Sequence, residues 1–388
     1  MNNLTSKIDK DELVARIVAL NHKASPLDFD GIQPGCKDHI HVVVIGTDRR
    51  MLFMLRQAAL LAHYLNFDDE TGANRTVLTL VDISAANNDD LRVTKATVDS
   101  SDYLYNLTKV CPWRFGMWHG DQECGNQSHS YLDIDLRIAG VPAMAMNDFM
   151  TELLRNSERQ RVTVIAYKDI LESINVNSED IHTSYFQKYE VPREDVRYGD
   201  TDGIMNQKAA KKINAIYHFS NYLGDIKACD IDNVNRYSQA IKIFAKYTKD
   251  KDLDERWNKQ KDLRLILSNV YCADGIQSKI RGFKCKTQED LQNTISKHLK
   301  LFAKCEHTRW NVEKLILGFR EWNAQESYEY EFLYGSEAKD FKDRKKKEES
   351  AHIDICSNRT LRRIDLESVK YDNFLMLAIP YIISFSHG

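Results

Sequence analysis

The sequence predicts two parts: an α/β part built on a parallel sheet with crossover helices, followed by an all-α part. Three observations carry this. Apolar runs that end in Gly or Asp alternate with helical stretches over residues 39–200, the pattern of strands joined by crossovers. Strand signal fades after Asp195. Proline is scarce, at 6 of 388 residues, so long helices are free to form. The expected division is an N-terminal helical arm (1–38), the sheet domain (39–200), a helical linker (201–254) and a helical domain (255–388).

Each element has its own reason. Leu13, Ile17 and Leu20 recur at helical spacing, so the arm carries one amphipathic helix. HIHVVVIGTD (39–48) has an apolar run closed by Gly46: a buried strand and a turn. RRMLFMLRQAALLAHYLNF reads as a helix, TVLTLVDIS (76–84) as a second buried strand ending near Asp82, SYLDIDLRIAG (130–140) as a third strand, FMTELLRN as a short helix, and RVTVIAY (161–167) as a fourth strand. Beyond them QKAAKKINAIYHFSNYL, VNRYSQAIKIFAKYT, DLRLILSNVYCADGIQSKIRGF, EDLQNTISKHLKLFAKCEHTRWNVEKLILGFREW and YDNFLMLAIPYIIS read as successive helices. KDFKDRKKKEES (339–350) mixes signs and reads as a solvated face; the alternative is phosphate binding by Arg344 to Lys347.

Composition excludes several classes. A net charge of -3 gives no phosphate-neutralising face for direct nucleic-acid binding. No apolar run reaches the roughly 18 residues that span a bilayer, and the N-terminal stretch lacks the apolar block of a signal peptide, so no membrane association and a cytoplasmic location are expected. The 8 cysteines include no CxxC pair and read as scattered thiols. Cys111, His119, Cys124 and His129 match no common zinc module, so this stretch is expected to be a surface loop and no metal is assigned.

Two clusters carry chemistry. In the first βα turn, Gly46, Thr47, Asp48, Arg49 and Arg50 stand where a helix N-terminus favours an anion, and Asp82 stands where a carboxylate accepts bonds from a ribose diol. Only one glycine remains of the three in a dinucleotide fingerprint, so a scaffold used for packing is the competing reading. In the second cluster Glu306, His307, Arg309, Trp310 and Lys314 concentrate an acid, an imidazole, two cations and an indole on one helix. Residues three or four apart share a helix face, so a pocket wall is plausible; a Trp310 that merely anchors the core is the bland alternative.

The segment EHTRWNVEKLILGF resembles the signature helix of the ryanodine-receptor (RyR) domain, a helical module also found in bacterial proteins. His352-Ile353-Asp354-Ile355-Cys356, LRRIDLESVKYDN with Asp372, and LAIPYII around Pro380 are similar to the rest of the bacterial form. Trp257, Arg264, Ser268-Asn269 and Ala273 are similar to the segment that precedes it, and AAKKINAIYH (209–218) to the link. The first part resembles the TrkA N-terminal-type, Rossmann-like nucleotide-binding domain.

The resemblance implies a sensor of nucleotides or nucleotide-derived signals in bacterial anti-phage defence or signalling, with no catalytic activity. It also implies a ligand site drawn from Glu306, His307, Arg309, Trp310, Lys314, Trp322 and His352. The expected partners are a nucleotide ligand, a second copy of the chain and an effector protein. Two other readings stay open. One is a nucleotide hydrolase using Glu306, His307, His352 and Asp354. The other is a scaffold that dimerises through Leu52, Leu55, Ala59 and Ala62.

Overall fold

The computed structural model describes residues 8–20, 26–101, 104–126, 131–194, 206–219, 234–247 and 250–383. His129, and residues 220–223 of the predicted helix that starts near Gln207, lie outside them.

Seven strands form one sheet: β1 (His39–Ile45), β2 (Thr76–Asp82), β3 (Trp113–Met117), β4 (Glu123–Gly125), β5 (Ile134–Gly140), β6 (Gln160–Tyr167) and β7 (Phe186–Val191). Their order is β4-β3-β5-β2-β1-β6-β7, and every pair is parallel except β3 with β4. Val42 stands opposite Leu78, and Val43 opposite Val164. β2 is buried at every position and β1 at all but His39, as expected for strands covered on both faces.

The crossover helices are α1 (Lys10–Leu20), preceding the sheet, then α2 (Arg49–Leu61), α3 (Asn88–Ser100), α4 (Tyr105–Val110), α5 (Met146–Arg155) and α6 (Lys168–Ser173). Alternation along β1 sorts its side chains. Val43 and Ile45 face α5 and α6, where Met150, Leu154 and Leu171 close a separate core. Ile40, Val42 and Val44 face α2 and share one core with the C-terminal helices.

The four strands read from apolar runs are present within a few residues. Residues 111–131 are not simply a loop: WRFGM is β3, inserted beside β5, and β4 folds back on it. A Cβ on Gly125 would fall 2.5 Å from the Trp113 ring, so glycine permits that fold-back. β7 also went unread, because FQKYEV alternates on a sheet edge with Lys188 and Glu190 exposed.

The remaining helices are α7 (Gln207–His218), α8 (Val234–Tyr247), α9 (Asp250–Lys259), α10 (Leu263–Asp274), α11 (Ile276–Ile280), α12 (Gln288–Lys297), α13 (Leu299–Ile316), α14 (Ala324–Tyr330), α15 (Gly335–Glu348), α16 (Asn358–Ile364) and α17 (Leu366–Ile382). Two long predicted helices are broken, at Gly275 and at His298. α13 ends at Gly318 (φ +86°), where the Phe319 N–H reaches back to the Lys314 carbonyl at 2.9 Å. The second part also holds a strand pair, β8 (Arg320–Glu321) parallel to β9 (Ala351–His352), so it is not purely helical.

The face of α2 carrying Leu52, Leu55, Ala59 and Ala62 is covered inside the chain. α1, α10 and α13 pack on α2, and Leu55, Ala59 and Ala62 are fully buried. That face therefore offers no surface to a second copy.

The N-terminal arm joins the two parts. Arg16 Nη1 lies 2.7 Å from Asp274 Oδ2, with both side chains almost entirely buried. Glu12 bonds Arg56 at 3.1 Å and accepts the Tyr271 hydroxyl at 2.6 Å. Removing one member of a buried ion pair strands the other charge, at about 3–5 kcal/mol. Arg16→Met is expected to lower unfolding free energy by that amount in urea melts. Arg16→Met with Asp274→Leu is expected to recover most of it.

Candidate functional site

The helix α13 is buried nearly all round, so its polar side chains must be paired or must face a cavity. It does both, on different faces.

One face is ionic. Arg309 donates to Glu306 from Nε at 2.9 Å and from Nη2 at 2.8 Å, and to Glu313 at 2.6 Å. Lys279 Nζ lies 3.1 Å from Glu306, and Lys314 lies 2.9 Å from Glu313 and donates to Ser268 at 3.0 Å. Burial would raise the Glu306 pKa, but Arg309 and Lys279 outweigh it and hold the carboxyl at about 2. Glu306 and Arg309 are thus spent on buried partners and Lys314 on Glu313 and Ser268, and none of the three lines the cavity on the other face.

The other face opens on a cavity of about 290 Å³, walled by His307 and Trp310 of α13, by His352 and Asp354 at β9, by Lys342 and Lys346 of α15, by Tyr371 and Asp372 of α17, and by Tyr217 of α7. Trp310 is half-buried. His307 lies nearly parallel to it at 5.9 Å between centroids, and His352 meets it edge-on at 5.0 Å. The β8–β9 ladder pairs Glu321 with His352, which fixes the position of that imidazole.

The two imidazoles differ. His307 Nε2 faces the Cys356 carbonyl at 3.0 Å, and Nδ1 faces the Asp372 carboxylate at 3.4 Å. Two acceptors demand two protons. Burial would lower the His307 pKa, yet Asp372 and then the Cys356 carbonyl raise it overall. His352 Nδ1 instead accepts the Asp354 backbone N–H at 3.3 Å, which places the ring proton on Nε2. Burial first, then the Lys346, Lys314 and Lys342 ammonium groups, drive its pKa well down, so His352 is neutral. Burial and then the neighbouring Asp365 raise the Asp354 pKa; this side chain accepts the Ser368 hydroxyl at 3.0 Å.

Trp322 is not at the cavity. It packs against Phe341 and Tyr330 in a small core behind β9. The residues that reading the sequence missed are Tyr217, Lys342, Ser368 and Tyr371. They come from α7, α15 and α17, far apart in the chain, and no local spacing marks them.

The βα-turn cluster assembles differently from expectation. Asp48 caps α2, accepting the Arg50 and Met51 N–H groups at 3.0 and 3.3 Å and the Tyr167 hydroxyl at 3.1 Å. Its carboxylate thus takes the place at the helix N-terminus where a phosphate would sit. Arg49 pairs with Asp9. Arg50 bonds Asp11 at 2.7 Å and the carbonyls of Pro192 and Arg193 at 2.6 and 2.8 Å. Gly46 keeps its positive φ of 123°, and its N–H bonds the Val81 carbonyl. A polar hollow of about 410 Å³ is lined by Thr47, Asp82, Ser84 and residues of α3, and the Asp82 carboxylate there accepts the Ser84 and Thr94 hydroxyls. Burial opposes ionisation of Asp82, and those hydrogen bonds overcome it and lower its pKa.

Among the described residues no cluster of three or more His, Cys, Asp or Glu side chains could hold a metal ion. Cys111 is in the core, and Cys124 is exposed on β4. No described helix is long and apolar enough to cross a membrane. No family model, curated protein or solved structure matches the chain.

The His307 pair gives a pH signature. Because its folded-state pKa is raised, the stability it contributes is fully present below about pH 6.5 and is lost as pH rises through the raised value. Asp372→Asn is expected to move the His307 titration midpoint, read by NMR of the labelled imidazole, to lower pH. It should also flatten the loss of stability as pH rises above about 6.5.

Proposed function

We propose that the chain is a binding protein for a nucleotide or nucleotide-derived signal, with its site in the cavity beside α13, and that its second part is a module of the RyR-domain kind. The single observation that carries this reading is the convergence of Trp310, His307 and His352 on one open cavity of about 290 Å³. That volume is near the lower end of small-molecule sites. An indole offers a base a stacking partner, and carboxylates and ammonium groups in the same wall suit a ligand with both N–H donors and phosphate. In this reading, occupancy is passed on to an effector protein or to a second copy of the chain in bacterial defence or signalling.

Geometry favours binding over hydrolysis. Both nitrogens of His307 are committed to protein acceptors, and the free nitrogen of His352 carries a proton. Neither imidazole is left as a proton acceptor towards the cavity.

The reading is tested by calorimetry with adenine, guanine, cytosine and uracil nucleotides, linear and cyclic. At least one is expected to bind. Trp310→Ala is expected to weaken it by about 1–3 kcal/mol, the worth of one base stack, in a variant whose melting shows it folded. Absence of binding across the panel, or affinity indifferent to Trp310, would refute the reading.

A further inference from the structure

The two cations of α13, Arg309 and Lys314, are engaged by buried carboxylates. The cavity supplies others. Lys342 is paired with Asp365. Lys346, one turn further along α15, has no hydrogen-bond or ion-pair partner among the described residues, although it lines the same cavity. It is solvent-exposed as a residue, yet desolvation of its head group, reinforced by the Lys314 ammonium, lowers its pKa. Of the charges acting on His352, Lys346 is the strongest. The His352 Nε2–H also has no acceptor among the described residues, while its Nδ1 is fixed by the Asp354 backbone. Two unused donors, one of them charged, therefore share one wall. The carboxylates nearby make no hydrogen bond to either donor among the described residues. Asp372 answers His307; Asp354 accepts Ser368 and stands 3.9 Å from His352 Nδ1, the ring nitrogen opposite the donor; Asp343 lines the cavity three residues before Lys346 without pairing to it.

We propose that Lys346 and the His352 Nε2–H form an anion subsite that takes a phosphate group of the ligand, as a monoester or a bridging diester. This rests on the nucleotide reading for the ligand's identity, but not for the subsite's existence. A charge-assisted hydrogen bond to phosphate is worth about tenfold or more in affinity, and it weakens as salt screens the exposed ammonium.

The test is calorimetry on the full chain with four probes: inorganic phosphate, a nucleoside, its 5′-monophosphate and its 3′,5′-cyclic monophosphate, in the adenosine and guanosine series. The 5′-monophosphate or the cyclic form is expected to bind at least about tenfold more tightly than the nucleoside. Lys346→Gln, at an exposed position that should leave folding intact, is expected to erase about tenfold of that difference while leaving nucleoside affinity within about twofold, and His352→Phe is expected to reduce the ratio of phosphorylated to nucleoside affinity by a similar factor. Whichever form loses affinity in Lys346→Gln identifies monoester or diester. Equal binding of nucleoside and phosphorylated forms, or equal weakening of both by Lys346→Gln, would overturn the subsite and leave the nucleotide reading standing. Inorganic phosphate that binds in a Lys346-dependent way, with no nucleotide binding, would uphold the subsite and end the nucleotide reading. Silence from all four probes would overturn both.

Discussion

The arrangement of the second part depends on one buried guanidinium. Arg309 is 1% exposed and is answered by Glu306 on one side and Glu313 on the other. An unanswered charge at that depth would cost several kcal/mol, so α13 has little freedom to rotate. Glu306, Arg309 and Glu313 fall on one stripe of the helix, and His307, Trp310 and Asn311 are carried to the adjacent one. Fixing the first stripe against α10 and α11 therefore aims the second at β9 and α17. The break between α10 and α11 belongs to the same device. A Cβ on Gly275 would stand 3.0 Å from Arg309 Cδ and 3.3 Å from Lys279 Nζ, so the glycine that ends α10 also makes room for the network.

That constraint explains which parts were legible in the sequence. β1, β2 and β6 are mostly apolar runs because both faces of the inner sheet are covered, and β5 alternates as IDLRIAG; both patterns are read without knowing their partners. β3 is short and interrupted by Arg114 and Gly116, and it is a strand only because β5 lies beside it. The chemistry of α13 was legible as composition but not as geometry. A helix with one wet face announces its buried side through periodicity. α13 is dry on both sides, so nothing in the spacing separates Glu306 and Arg309, which seal the interior, from His307 and Trp310, which line a cavity. Trp322 failed for a related reason: an indole is as good a core filler as a stacking platform, and Phe341 claims it. Lys346 sits in a charge run of which Lys342 and Asp343 also reach the cavity while Arg344 and Lys347 are exposed, and nothing in the run's own spacing sorts them.

The cavity is tied to the sheet by few but specific bonds. Asn106 of α4 donates to the Phe319 carbonyl at 2.9 Å, and the Tyr131 hydroxyl donates to Glu321 at 2.9 Å. Phe319 packs edge-on to His352, and Glu321 is its register partner. The segment that positions the cavity imidazole is thus anchored on the α/β part, while α1 clamps the opposite side through Arg16 and Glu12.

The sheet itself has the crevice that parallel α/β folds use for ligands, outside the strand ends where the order reverses at β1 and β6. In this chain that crevice is filled from within. The Asp48 carboxylate satisfies the first N–H groups of α2, which removes the dipole advantage an anion would find there. Tyr167 closes over it from β6, while Asp9 and Asp11 of the arm take the two arginines that a phosphate would need. An incoming phosphate would have to displace the carboxylates of Asp48, Asp9 and Asp11 and break the bonds of Arg50 to the 192–193 carbonyls. Beside α13, by contrast, Lys346 and the His352 Nε2–H have no hydrogen-bond or ion-pair partner among the described residues. The turn keeps a single glycine, Gly46, and its two arginines pair with Asp9 and Asp11 at the start of α1, so the turn is the point where the arm docks on the sheet.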